Sequence, residues 1–402
     1  MTNTPPLSPR RFEKVEAHLR SAVDRGALPH ARFFATRDGE VLSDFTAGAA
    51  RADGTPLRPD ALFRIASMTK ALTAVLFLML WEDGRVGLDD PVASVLPELA
   101  DLAVYESGAV PPFATRPALR QPTMLDLLRH TSGFTYGIQR AGPVDQAYWT
   151  AGVDNFRAAK TASGILAALA QLPLVEDPGT HFTYSISTDL LGIVVERLAD
   201  QSLDEVMAAR ILRPLGMVDT GFTLRADQAE RFTDAWAMHP RQERYVYDPA
   251  EDGLWSRPLT FASGGGGLLS TTADYHRFCR MLLDGGILDG ERLLKAETVA
   301  AMTRNHLPDG GSIGALSRTL FAGAAFEGIG HGLGIAVTLP KEQQGRSKGA
   351  RPAGEFHWSG LFSTFYSIAP TERLILIFMT QLLPLVEDNL PDDIYHMLLD
   401  ES

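Results

Sequence analysis

The chain has 402 residues, 45% of them hydrophobic, and a formal net charge of −12. Its length and apolar content allow a large core in two or three units of ordinary domain size. So acidic a chain repels phosphate, which speaks against nucleic-acid partners, and its single cysteine, Cys279, excludes an intrachain disulfide framework.

Met1–Arg11 is polar and Pro-rich, without the apolar core of a signal peptide, so a cytoplasmic location is expected. Phe12–Arg25 carries Val15, Leu19 and Val23 at helical spacing and predicts a helix. Ala31–Thr36 and Val41–Ala50 read as strands joined by a turn at Asp38-Gly39. The most apolar stretch, Ala71–Trp81, is too short to span a bilayer. It reads as a buried helix that begins near Ser67 and stops around Gly84. From Leu88 to about Leu215 helical patterns dominate, at Thr123–Arg129, Ser163–Leu172, Thr188–Asp200 and Asp204–Ile211. Among them Gly133–Arg157, with Phe134, Tyr136, Tyr148, Trp149 and Phe156, reads as a long binding loop or lid. Beyond Thr220 the pattern is mixed again. It holds a four-glycine run at Gly264–Gly267, a helix at Thr272–Leu283, and strands at His331–Leu339, Phe362–Ala369 and Leu374–Thr380. Leu383–Leu399 closes the chain, helical in its second half. This order suggests a discontinuous α/β domain, 1–85 and 220–402, interrupted by a mainly helical insertion, 86–219. Clefts between such units are common ligand sites.

Three constellations could carry chemistry. In Ser67-Met68-Thr69-Lys70 the serine and lysine lie at i and i+3 on one helix face. The lysine eases removal of the serine proton, and the helix N-terminus favours a developing anion. Alone, the spacing also suits a helix-start serine followed by a snorkelling lysine. Tyr184-Ser185-Ile186-Ser187 is the second: a tyrosine beside a cationic lysine can serve as general base, or be an ordinary core tyrosine. The third, His357-Trp358-Ser359-Gly360, has small residues that would let a backbone N–H approach a reacting carbonyl, or forms a plain turn. Gly310-Gly311-Ser312-Ile313-Gly314 matches a nucleophile elbow, but Pro308 and Asp309 stand where a strand is required, so Ser312 reads as a loop residue. The histidines show no His-Glu-x-x-His spacing, and Gly264–Gly267 lacks the Gly-Lys-Ser/Thr ending of a phosphate loop. No metal and no cofactor are expected.

Taken in order along the chain, further segments accompany these motifs. They are Phe63-Arg64-Ile65-Ala66 before Ser67, Leu88-Asp89-Asp90-Pro91-Val92, Leu127-Leu128-Arg129-His130-Thr131-Ser132-Gly133, Phe182-Thr183-Tyr184-Ser185, Pro214-Leu215-Gly216-Met217 and Ser263–Leu268. The chain thereby resembles the serine β-lactamase-like superfamily of class C β-lactamases and penicillin-binding proteins, and within it the family VIII carboxylesterases. The resemblance implies an α/β fold of the β-lactamase/transpeptidase type. Its antiparallel sheet is flanked by helices beside a mainly helical domain, with the active site in the cleft between them. It implies Ser67 as nucleophile, Lys70 and Tyr184 as the proton-transfer pair, and the backbone N–H groups of Ser67 and Leu361 as oxyanion hole. Tyr136 would approach the nucleophile, and Trp358, Ser359 and Gly360 would border the substrate.

Two departures from the β-lactamase pattern bear on specificity. Ile186 stands where an asparagine usually contacts the substrate amide, and Trp358 stands in place of the lysine of a Lys-Thr-Gly strand. His357 lies next to it, and His357 and Ile186 are expected with the others among the substrate-binding residues. Both changes remove polar recognition. The expectation is a serine carboxylesterase acting on small to medium apolar esters, with a small-molecule ester and neither nucleic acid nor membrane as partner. A β-lactamase or D-amino-acid peptidase, an acyltransferase with the same dyad, and a non-catalytic protein of this fold remain as alternatives.

Overall fold

The structure is a computed structural model and describes residues 9–154, 160–239, 244–344, 351–384 and 390–399. Strands from both ends of the chain meet in one antiparallel sheet. They are β1 (His30–Arg37), β2 (Glu40–Gly48), β3 (Ile329–His331), β4 (Ala336–Thr338), β5 (Phe356–Ser359), β6 (Phe365–Ala369) and β7 (Leu374–Met379), in the order β3-β4-β5-β6-β7-β1-β2. Neighbours run antiparallel throughout. Asp38 and Gly39 both take positive φ, as a two-residue turn between β1 and β2 requires.

Five helices matter for the site: α1 (Pro9–Asp24), α2 (Thr69–Glu82), α3 (Ser187–Ala199), α4 (Thr272–Leu283) and α5 (Leu390–Leu399). β7 is apolar at every position because both its faces are covered. Leu374, Leu376 and Phe378 pack with α1 and α5 through Phe12, Val15, Leu19, Ile394 and Leu398. Ile375, Ile377 and Met379 face the opposite cluster, where α2 and α4 lie. This is the period-two alternation of a strand read on two apolar faces. α2 is buried from Thr69 to Leu80, so its run has no polar stripe. It packs against α3, and residues from 86–219 join the same apolar cluster.

Several boundaries differ from expectation. The segment His331–Leu339 is a hairpin rather than one strand, since β3 and β4 are broken by Gly332–Ile335. Gly334 there takes φ of 88° and presses on Ala74 of α2, which only a glycine allows. β6 starts at Phe365 because Ser363 turns with φ of 63°. Residues 133–154 of the expected lid are folded chain. They hold the helix Pro143–Thr150, whose N-terminus Asp145 caps by accepting from the N–H groups of Ala141 (2.7 Å) and Gly142 (3.0 Å). Phe134, Tyr136 and Tyr148 are buried and Trp149 is exposed, while Phe156 lies outside the described residues. The helix expected over Asp204–Ile211 is a short α-helix, Leu203–Met207, running into a π-turn at Ala208–Leu212. Among the described residues no helix is long and apolar enough to cross a membrane.

Candidate active site

The chain entering α2 is held from both sides. Phe63-Arg64 pairs with Leu269-Ser270, and the Ile65 N–H donates to the Leu268 carbonyl (3.1 Å). Arg64, fully buried, donates to Asp248 (2.7 Å) and the Thr233 carbonyl (2.6 Å), with its guanidinium 4.0 Å from the Phe232 ring centre. Burial pulls Arg64 down to about 10, opposed by Asp248. Ala66 then takes φ of 44°, a region side chains avoid, and a 3₁₀ turn at Ala66–Met68 leads into α2. Ser67 therefore sits in the turn before the helix rather than at its first α-helical residue. It is half-buried, and Lys70 is buried one turn further on.

The three residues expected to act together do meet. Lys70 Nζ lies 3.2 Å from Ser67 Oγ, and Tyr184 Oη lies 2.7 Å from the same oxygen. Lys70 also donates to the Gly265 carbonyl (2.6 Å), and its ammonium stands 4.8 Å from the Tyr184 ring centre. Tyr184 precedes α3 and is fixed on several sides. Gln139 Nε2 donates to its carbonyl (2.7 Å), and the rings of His130, Phe321 and Trp358 approach its ring at 4.9, 5.2 and 5.4 Å. Burial, helped by His331 and Lys70, holds His130 well below the usual histidine range. His331 is brought down to about 3, mainly by burial. The His130 imidazole beside Tyr184, and that of His331 packed against His130 and Trp358, are therefore neutral at neutral pH and add no competing cation.

Ser67, Lys70 and Tyr184 line a cavity of about 280 Å³. Tyr136, Trp358, Ser359, Gly360 and Leu361 line it too. Tyr136 turns its hydroxyl to Asp189 (3.3 Å), with its ring centre 5.5 Å from Lys70 Nζ. Burial and Asp189 push that hydroxyl well above the usual tyrosine range, so it stays protonated and donates. Trp358 stands on β5, paired with Tyr366 of β6, and stacks on Phe321 at 5.9 Å. The His357–Gly360 segment is thus the end of a strand with a turn after it, rather than a turn throughout. The Gly360 N–H donates to the Thr364 carbonyl (2.7 Å), and a Cβ on Gly360 would lie 2.5 Å from the Ile65 carbonyl oxygen. Only a bare backbone lets the 359–361 turn come this close to the chain entering Ser67.

Two expected substrate-binding residues lie elsewhere. Ile186 is buried just before α3 and is not among the residues lining this cavity. His357 points to the other side of β5, because neighbouring side chains on a strand face opposite ways. There its Nδ1 is 3.7 Å from Glu355, and burial lowers it to about 4. It lines a second cavity, of about 620 Å³, which meets the first at Phe321 and Trp358–Leu361. Ser312 caps the short helix Ile313–Leu316 by accepting from the Ala315 N–H (3.2 Å), with a 3₁₀ turn in front of it and no strand.

Other cavity residues carried no local signal. Asp189 looks like an ordinary acid in the first turn of a helix, a common dipole partner. Yet it is buried and accepts from Ser263 Oγ (2.6 Å) and the Gly265 N–H (3.1 Å). Leu254, Trp255, Leu259, Phe261 and Phe321 form much of the apolar wall. Among the described residues no group of three or more His, Cys, Asp or Glu is placed to hold a metal ion.

Over most of its length the chain is similar to several known proteins. Protein Rv1367c of Mycobacterium tuberculosis (strain ATCC 25618 / H37Rv) is 36% identical over 371 residues, covering 92% of this chain and 90% of that protein. Esterase EstB of Burkholderia gladioli is 29% identical over 387 residues, covering 91% and 89%. The solved structure of EstCE1, described as a hydrolase with promiscuous acyltransferase activity, shares the fold at a TM-score of 0.79 and 21% identity. The match covers 98% of this chain and 99% of that one. The family model described as Beta-lactamase matches residues 15–401, and the chain belongs to that family.

Proposed function

We propose that the chain is a serine carboxylesterase acting on small to medium apolar esters. One observation carries the reading: Ser67 Oγ lies within 3.2 Å of Lys70 Nζ and 2.7 Å of Tyr184 Oη, on a cavity with largely apolar walls. In the first step Ser67 Oγ bonds to the ester carbonyl carbon, and its proton passes to the Lys70–Tyr184 pair, which enters the step one proton short, with Tyr184 as the base beside the Lys70 ammonium. The backbone N–H groups of Ser67 and Leu361 hold the resulting oxyanion. Collapse breaks the bond to the alcohol, which leaves with the proton held by the pair. Water then attacks the acyl-Ser67 carbonyl, gives a proton to the same pair, and Ser67 departs reprotonated with release of the acid.

The neighbours favour an ester over a lactam. Ile186, buried away from the cavity, supplies no polar side chain to it, and Trp358 on the cavity wall brings an indole where a lysine would have met a carboxylate. The similarity to EstB adds support. The test is a panel of p-nitrophenyl esters of increasing chain length, one chromogenic cephalosporin, and a competing alcohol. Short to medium esters turn over fastest, Ser67→Ala abolishes turnover, and Ser312→Ala leaves it unchanged. A cephalosporin cleaved faster than every ester overturns the ester preference. A transfer product that outweighs the free acid makes the protein an acyltransferase.

A further inference from the structure

We infer that Asp189 is a positioning residue for Lys70, acting through the backbone of Gly265. The inference rests on the proposed Ser67–Lys70–Tyr184 chemistry. A lysine ammonium is a point charge on a flexible stem, so its direction is set by its acceptors. Among the described residues Lys70 has two: Ser67 Oγ at 3.2 Å and the Gly265 carbonyl at 2.6 Å. The second is the shorter and the only backbone acceptor, so the place of Gly265 determines where the ammonium sits relative to Ser67.

Gly265 is in turn held by Asp189, whose Oδ1 accepts its N–H (3.1 Å). The same oxygen accepts from Ser263 Oγ (2.6 Å), and Oδ2 accepts from Tyr136 Oη (3.3 Å). All three donors come from outside α3. An acid serving only the helix dipole would need none of them. An ionised carboxylate accepts at both oxygens and donates at neither, which matches three converging donors. The four-glycine run fits this role. A Cβ on Gly265 would collide with Asp189 Oδ2, and one on Gly264 would lie 2.9 Å from the Thr188 carbonyl oxygen and 3.0 Å from Thr73 Cγ2. Thr73 Oγ1 of α2 also donates to the Gly264 carbonyl (2.8 Å). The run is therefore clamped between α2, which carries Lys70, and α3, which carries Asp189.

The experiment compares Asp189→Ala and Asp189→Asn in the full chain by three readouts. These are steady-state ester kinetics, the rate at which a fluorophosphonate labels Ser67, and the melting temperature. Asp189→Ala frees Gly265, and a displacement of about 1 Å near the nucleophile costs about 10²-fold. The expected result is a fall of that size in both kcat and labelling rate, with KM changed by no more than about threefold. The Asn amide oxygen still accepts from Gly265 and Ser263, so Asp189→Asn recovers both rates to within about tenfold of wild type. A melting temperature that falls while the rates of the folded protein stay at wild type overturns the inference. So does an Asn variant as slow as the Ala variant. If Asp189→Ala does not fold, Gly265→Ala is read in its place, with the same losses expected and unchanged rates contradicting the proposal. If wild type cleaves no ester, the esterase reading fails and the labelling rates alone decide on Asp189. A wild-type Ser67 that does not label overturns both.

Discussion

His30 and His331 make the folded state acid-sensitive, and the size of the effect follows from their burial. Both are almost wholly inaccessible. Each has one ring nitrogen bonded to a backbone carbonyl, His30 to Ala49 (2.9 Å) and His331 to Gly332 (3.0 Å). Burial lowers His30 to about 4 and His331 to about 3. The unfolded chain titrates near 6.5. Between these values the unfolded state binds protons that the folded state refuses. Stability is therefore complete above about pH 6.5 and is lost as the pH falls below it. At pH 5.0 each histidine removes about 2 kcal/mol, or about 4 kcal/mol together, at ~1.4 kcal/mol per pH unit. That is a large share of the ~5–15 kcal/mol typical of folded proteins. His276 and His357, both lowered to about 4, act in the same direction. The assay is urea unfolding at pH 7.5 and 5.0 for wild type and His331→Asn. The variant has its own packing cost at both pH values, so the quantity read is the difference between them. The pH 7.5 to 5.0 loss should shrink by about 2 kcal/mol in His331→Asn. An unchanged loss, or a wild type equally stable at both pH values, would mean that the buried histidines do not set the acid sensitivity.

Three further predictions concern the site and the chain that enters it. Tyr184→Phe removes the hydroxyl 2.7 Å from Ser67 Oγ. It should lower kcat by about 10²–10⁴-fold on a p-nitrophenyl ester, with about 1 kcal/mol or less of stability lost in urea unfolding. Gly360→Ala drives a methyl toward the Ile65 carbonyl and Thr364 Oγ1. It should reduce kcat by about 10²-fold with KM little changed, because the 359–361 turn must retreat from the reacting carbonyl. Arg64→Met leaves Asp248 buried without its cation, and urea unfolding should show a loss of about 3–5 kcal/mol.

What could be read in advance was local. Ser67 and Lys70 were legible because their contact spans one helical turn, and α2 because a helix apolar on every side must be buried. The β1–β2 hairpin was legible from Asp38-Gly39, where the turn chemistry is written in two residues. Tyr184 drew its weight from the ordered neighbours that marked the family. β5 was legible as a strand only through the family resemblance, since Phe356 and Trp358 are too few to set a period and its existence depends on pairing with its neighbours. The β3–β4 break needed knowledge of Ala74, which Gly334 meets across the fold. The same holds for the most informative contacts in the site. Lys70 reaches Gly265 across 195 positions, and Gly265 reaches Asp189 across 76. Nothing in the local pattern of an acid in a helical first turn distinguishes that role. The four glycines were visible, and within Ser263–Leu268 they helped to mark the family, but their local pattern itself only excluded a phosphate loop. Their function as a bare backbone between two helices emerges only when α2 and α3 are side by side.

The proposed chemistry requires the acyl group to pass through Ser67. The most direct measurement is acid quenching of the enzyme during turnover of a p-nitrophenyl ester, followed by mass mapping of the modified peptide. The expected result is an acyl adduct on Ser67, absent from Ser67→Ala together with turnover. An adduct on another residue, or a Ser67→Ala protein that turns over like wild type, would contradict it.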